Sequence, residues 1–181
     1  MRRTLPLLAA LILAGCGSAD EKPFVPARAA EPQHAELGWK ESYPATVCSR
    51  LVFEVGAFEV TTEGWSAAVS VTNNTTYDFD VDTGPTDYGF GLMLFATGDL
   101  KEVETANQEG RLPAQRRARR IEPRAPTVLR PGVSWSATLS APGSLPNGSW
   151  MRVVFGTFRG LGDVPPEFRR IVWFTDHAYR L

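Results

Sequence analysis

Residues 65–72 alternate cleanly: Trp65, Ala67, Val69 and Val71 fall on one side, Ser66, Ala68, Ser70 and Thr72 on the other. A period of two predicts a half-buried β-strand. Asn73-Asn74-Thr75-Thr76 then supplies turn chemistry. The same pattern recurs on both sides of this stretch. Leu51, Phe53 and Val55 alternate, and Phe58 and Val60 continue in shifted phase, which places a β-bulge or strand switch at Gly56-Ala57. Residues 88–97 are apolar on both faces, as expected of a central strand covered on both sides or meeting a partner. Leu100 to Glu104 reads as a short edge strand. Residues 107–126 read as a polar connection, in which 114–120 form at most one helical turn. Leu129-Arg130-Pro131-Gly132 is a turn into a strand that points Val133, Trp135, Ala137 and Leu139 inward. Residues 149–158 and 170–181 are the last two predicted strands. No segment is predicted to form a helix longer than two turns. Seven or eight strands separated by Gly and Pro turns predict an all-β antiparallel sandwich over residues 47–181.

Upstream, the pattern changes twice. Arg2 and Arg3 precede an apolar run over residues 5–14, too short to span a bilayer. It ends in Leu13-Ala14-Gly15-Cys16, small residues ahead of a thiol. Residues 1–15 therefore read as a signal peptide. Residues 16–46 hold Pro23, Pro26, Pro32 and Pro44 among Ala and scattered charges, and read as a disordered tether from which Trp39 docks on the domain. No later segment has the length and apolarity of a transmembrane helix.

Two resemblances follow from these residues. Leu13-Ala14-Gly15-Cys16 resembles the lipobox of bacterial lipoproteins at all four positions. The resemblance implies that Cys16 becomes the acylated first residue and that the mature protein is held to a membrane in the cell envelope. Gly17 stands where an Asp favours inner-membrane retention in such proteins, so sorting to either membrane stays open. The strand ending Val69-Ser70-Val71-Thr72-Asn73 and the turn Leu129-Arg130-Pro131-Gly132 resemble immunoglobulin-like domains of bacterial envelope proteins. The Cys pair and intervening Trp of antibody domains are absent, and related sandwich topologies such as transthyretin-like ones stay open.

Composition narrows the partners. The 181 residues carry 19 basic and 20 acidic groups. Cleavage before Cys16 removes Arg2 and Arg3, so seventeen basic groups face twenty acidic ones, a net of −3. Such a balance offers no footprint for nucleic acid. Of the two cysteines, lipid takes Cys16, which leaves Cys48 without an intramolecular partner. The apolar Leu51-Val52-Phe53 nearby predicts that Cys48 is buried.

Candidate chemistry is sparse. Asp78, Asp80 and Asp82 alternate with Phe79 and Val81, which would line three carboxylates on one strand face about 6–7 Å apart. That arrangement suits a hard cation such as Ca²⁺ or a solvated acidic face. Gly84 falls one place late for an EF-hand loop, and Gly89 stands where that loop wants Glu. Arg116, Arg117, Arg119 and Arg120, with Arg124 and Arg130, form the opposite pole. They suit an anionic lipid, a glycan phosphate or an acidic partner, or else a solvated loop balanced by Glu102, Glu104, Glu109 and Glu122. Catalysis finds little: His34 and His177 are the only histidines, and no Gly-x-Ser-x-Gly elbow occurs after residue 15. Cys48 could in principle meet His177 across the sheet, but nothing in the sequence places the two together with an orienting third group. Trp135, Trp150, Trp173 and Phe174 are core residues unless two or more rings are exposed on one face for sugar stacking. These features predict a non-catalytic envelope lipoprotein that contacts another protein, or else a module binding a ligand, calcium or a surface polymer; no cofactor other than calcium is implied. Cys16→Ser should release the protein from membranes or leave it as uncleaved precursor. Unchanged fractionation, with no incorporation of a palmitate analogue in either form, would contradict the lipobox reading.

Overall fold

Apolar side chains at every second position need a second layer to cover them, and two sheets supply it. The computed structural model describes residues 28–44, 48–82 and 88–181. The first sheet contains β1 (Gln33–Tyr43), β2 (Leu51–Val60), β3 (Gly64–Asn73), β9 (Ser134–Pro142) and β7 (Arg120–Glu122), adjacent in that order and antiparallel throughout. The second is built on β10 (Trp150–Gly160). Along one edge of β10 lie β5 (Phe90–Phe95) and β4 (Phe79–Asp82), end to end. Along the other lie β12 (Tyr179–Arg180) and β11 (Ile171–Phe174). Outside β5 and β4 run β6 (Arg116–Arg117) and β8 (Val128–Leu129). The expected all-β sandwich is the observed architecture. Among the described residues no helix is long and apolar enough to cross a membrane.

Between the sheets, Phe53, Val69, Val71 and Leu139 meet Leu92, Met151, Val153 and Phe155, all buried. Phe53 contacts Phe155 at 5.0 Å and stacks on Trp173 at 5.3 Å between ring centroids. Trp65 and Trp135 are buried, as their inward phase predicts. The bulge expected at Gly56-Ala57 is present, where the β2–β3 register slips between Val55 and Phe58. The double-faced apolarity of β5 also has its explanation. Phe90 and Leu92 join the main core, while Met93 and Phe95 form a second cluster with Val154 and Val103.

Val103 belongs to α1 (Leu100–Gln108), where the sequence suggested an edge strand. Asp99 caps this helix by accepting from Lys101 N at 2.9 Å, and Glu102 sits in its first turn. A capped start and no β-branched run make helix the lower-energy choice here. The tether expectation also fails over its second half. Residues 33–43 are an eleven-residue strand paired with β2, and Ala30 N donates to Leu145 O at 2.7 Å ahead of it. Folded structure therefore begins by residue 28 rather than 47. The last predicted strand is two, β11 and β12, separated by a turn. Val133 is exposed rather than inward, and Cys48 is exposed rather than buried.

Trp135 does more than fill the core. Its ring packs on Phe90 at 5.1 Å, and its Nε1 donates to Arg124 O at 3.1 Å. Trp135→Ala is expected to cost about 3–5 kcal/mol, the range for large aromatic truncations in cores. Urea denaturation monitored by circular dichroism would measure it. A loss below about 1 kcal/mol would mean the site collapses around the smaller side chain.

Candidate functional site

An arginine groove forms where one stretch of chain passes from one sheet to the other. Arg116 and Arg117 pair with Leu92 and Gly91 in the second sheet. Ala118 N then donates to Phe90 O at 2.9 Å, and Arg119 N donates to Ser140 O at 2.8 Å in the first sheet. Arg120, Ile121 and Glu122 continue along β9. Ala118 and Ile121 turn inward against the core, three residues apart. That spacing breaks strict alternation and leaves Arg119 and Arg120 side by side, both exposed. The segment is extended, so the single helical turn expected over 114–120 does not form. Gln115 extends the ladder with its side chain: Oε1 accepts from Gly89 N at 3.1 Å, and Nε2 donates to Gly89 O. Gly91 is required beneath, because a Cβ there would lie 2.2 Å from Arg116 O.

Three adjoining concavities of about 560, 530 and 360 Å³ follow this segment, and Arg119 lines all of them. Arg120 and Arg124 border the first, Trp65 and Ser140 the second, Arg116 and Arg117 the third. Among the described residues that line them, and leaving Arg117 aside, Arg116, Arg119, Arg120 and Arg124 face two glutamates, Glu63 and Glu122, an excess of two positive charges. Arg116 is anchored by donating to Ser144 O at 3.0 Å. Arg120 approaches Glu122 at 3.6 Å with both side chains largely in water, a pair that contributes little. Among the described residues, the guanidinium groups of Arg119 and Arg124 have no partner. The four arginines singled out in the sequence are thus gathered at one site, joined by Arg124, by Trp65 on β3 and by Ser140 on β9.

The acidic alternation is less complete. Phe79 and Val81 are buried, so Asp78 and Asp80 take the opposite phase, with Asp78 exposed and Asp80 half-buried. The side chain of Asp82 lies outside the described residues, as does Cys16. Among the described residues no group of three His, Cys, Asp or Glu side chains is placed to hold a metal ion.

A second polar cluster, unforeseen in the sequence, closes the flank opposite the groove. Glu41 on β1 points inward with its side chain only 6% exposed. Its carboxylate accepts from Trp173 Nε1 at 3.1 Å, Asp176 N at 3.0 Å and His177 N at 3.0 Å. It also lies 2.8 Å from His177 Nδ1, and the His177 ring stacks on Trp39 at 5.6 Å. Nearby, Arg152 is fully buried. Its Nη1 donates to Thr175 O at 2.8 Å and to the Asp176 carbonyl, its Nη2 donates to Gly98 O at 3.0 Å, and its guanidinium lies 5.7 Å from the Phe95 ring centroid. Burial lowers the Arg152 pKa from its usual value, and the charges of Asp176, Glu41 and Asp99 oppose that shift. Asp176 is pushed above the usual carboxylate range, first by lost hydration and then by Glu41, with Arg152 and His177 pulling the other way. A signal for Arg152 was present in the sequence: it is the one charge within the apolar run 150–158. A carboxylate–imidazole pair could serve a nucleophile, but Glu41 is occupied in holding a turn. Among the described residues no hydrogen bond joins His177 to Cys48, and the aromatic residues Trp135, Trp150, Trp173 and Phe174 are at most half-exposed.

No protein-family model matches the chain, and neither any curated protein nor any solved structure does.

The cluster makes a signed prediction. A carboxyl whose folded pKa is raised contributes stability below its unfolded pKa and loses it as pH rises through the folded value. Asp176→Asn should therefore be more stable than the parent at pH 7, and the advantage should vanish below about pH 4, the unperturbed carboxylate range. Glu41→Ala, which leaves three donors without their acceptor, should instead cost about 2–4 kcal/mol at pH 7. Denaturant midpoints across pH would check both. An Asp176→Asn variant that is less stable at neutral pH would assign the carboxylate a favourable contact.

Proposed function

We propose that this protein is an exported, lipid-anchored β-sandwich module that binds an anionic group in the Arg116–Arg124 groove, without catalysing a reaction. The observation that carries the binding reading is the convergence of Arg116, Arg119, Arg120 and Arg124 on adjoining concavities, two of them with unpartnered guanidinium groups among the described residues. Arginine suits this task because its planar fork matches phosphate and carboxylate oxygens two at a time. The anchoring reading is supported by Leu13-Ala14-Gly15-Cys16 after a short apolar run. The strand order β2-β3-β9-β7 opposite β5-β10-β11 supports an immunoglobulin-like arrangement. In this reading the acidic alternation around Asp80 is a solvated face, and contact with another envelope protein would run through its acidic residues.

Inorganic pyrophosphate is the simplest probe. Calorimetric titration should show saturable binding that weakens with salt, as expected for exposed charges. Arg119→Gln together with Arg120→Gln should reduce the affinity by roughly tenfold or more, since hydrogen bonds to charged groups contribute about 1.5–3 kcal/mol. No heat and no chemical-shift change at any groove residue would remove the anion-binding reading.

A further inference from the structure

We infer that the groove docks on the phosphate headgroups of the same membrane to which the chain is tethered, an inference that rests on the anchored, anion-binding reading above. The described chain enters the domain at Arg28, where Asn147 N donates to Arg28 O at 2.7 Å and Ala29 bridges to Pro146. Ala30 N adds a third link, to Leu145 O. The connection that receives the incoming chain also carries the groove. Ala141 and Pro142 line two of its concavities, Gly143 N donates to Glu63 O at 2.9 Å, and Ser144 O accepts from Arg116. Entry point and groove therefore lie at one end of the sandwich, joined by residues 141–147.

The tether is short. Twelve residue steps separate Cys16 from Arg28, a span of at most about 40 Å even if fully extended. That is comparable to the diameter of a domain this size, so the entry end cannot stand far from an acylated Cys16. Tethering then raises the local concentration of the groove at the headgroup layer to the millimolar range. Contacts weak in free solution become populated on those terms. The excess of two positive charges among the described lining residues other than Arg117 faces a surface potential that attracts each arginine by about 1 kcal/mol, or roughly fivefold in binding, within a Debye length of the surface. The exposed side-by-side pair Arg119–Arg120 suits a field of phosphates better than one enclosed ligand, because the concavities adjoin along the segment rather than converging on a closed pocket.

The test uses the chain from Gly17 onward, which retains every described residue and cannot be acylated at Cys16. It is sedimented with vesicles of phosphatidylcholine alone or of phosphatidylcholine with phosphatidylglycerol. Binding is expected only to the anionic vesicles and should fall as salt rises. Arg119→Gln with Arg120→Gln should weaken it about 25-fold, fivefold per arginine. The matched pair of Lys substitutions should largely preserve it, since a membrane reads charge. Arg130→Gln should leave it unchanged, because Arg130 is exposed at the other end of β3, where Gly132 N donates to Asn73 O. Equal binding to both vesicle types, or equal weakening by Arg130→Gln, would overturn the inference. Pyrophosphate binding without anionic-vesicle binding would also overturn it while leaving the groove a site for a soluble anion or an acidic protein. Loss of both would end the anion-binding reading itself.

Discussion

Two sheets packed face to face leave two open flanks, and water entering at either would reach the phenylalanine layer between them. Everything distinctive in this molecule follows from how those flanks are shut. On one, β1 lies along the first sheet's edge and Glu41 reaches across to the turn after β11. A carboxylate in that position would be costly if isolated. Three N–H donors and an imidazole surround it, so the charge is used to fasten the second sheet's last turn to the first sheet's edge. Arg152 fastens the same turn from the opposite side through the carbonyls of Thr175 and Asp176. Its Nε has no hydrogen-bond partner among the described residues, so this closure carries a polar cost alongside its bonds.

On the other flank the chain itself crosses. A segment that belongs to the second sheet at Arg117 and to the first at Arg120 needs only Ala118 and Ile121 turned inward; the remaining side chains must face water. Long cationic side chains meet that demand, since their stems cover apolar surface and their heads stay hydrated. Charge density at this flank is thus compatible with the closure and does not compete with it. The same crossing explains why the groove is built on backbone paired to both sheets: each arginine sits within a residue or two of a main-chain hydrogen bond. Arginines carried on paired backbone lose less main-chain entropy on binding than arginines on a free loop.

Much of the first sheet was legible in the sequence, because strands with one buried face write their burial directly as alternation, and β10, buried on both faces, was legible as a continuous run rich in Val and Phe. Trp65, Val69 and Val71 are the clearest case. The edge strand β1 was not legible, although Ala35, Leu37, Trp39 and Tyr43 do alternate. Glu41 occupies an inward position of that series, and Gly38, at φ 60°, sits at a register slip, so the strand reads as polar linker. An inward carboxylate makes sense only once Trp173 and the Asp176–His177 amides are known to meet it, and they lie more than 130 residues away. The helix was misread for a local reason: Leu100 to Glu104 carries one apolar residue per turn, and the Asp99 cap outweighs a weak strand signal. The arginine cluster was visible as composition, but its geometry depends on a sheet crossing that no local pattern encodes.

The pairing of β1 with β2 bears on the N-terminal segment. A domain beginning at residue 47 would hang from Cys16 on thirty-one residues, a reach of about 100 Å when extended, and could face any direction. Twelve residue steps separate Cys16 from Arg28, where the described residues begin with contacts to residues 145–147 beside the arginine segment. Strand pairing of β1 with β2 therefore does two things at once: it covers the edge of the first sheet, and it takes residues 33–43 out of the stretch between Cys16 and the sandwich. If Cys16 carries the anchor, the edge strand that seals one flank also sets which end of the sandwich is held nearest the membrane, and that end bears the groove sealing the other flank.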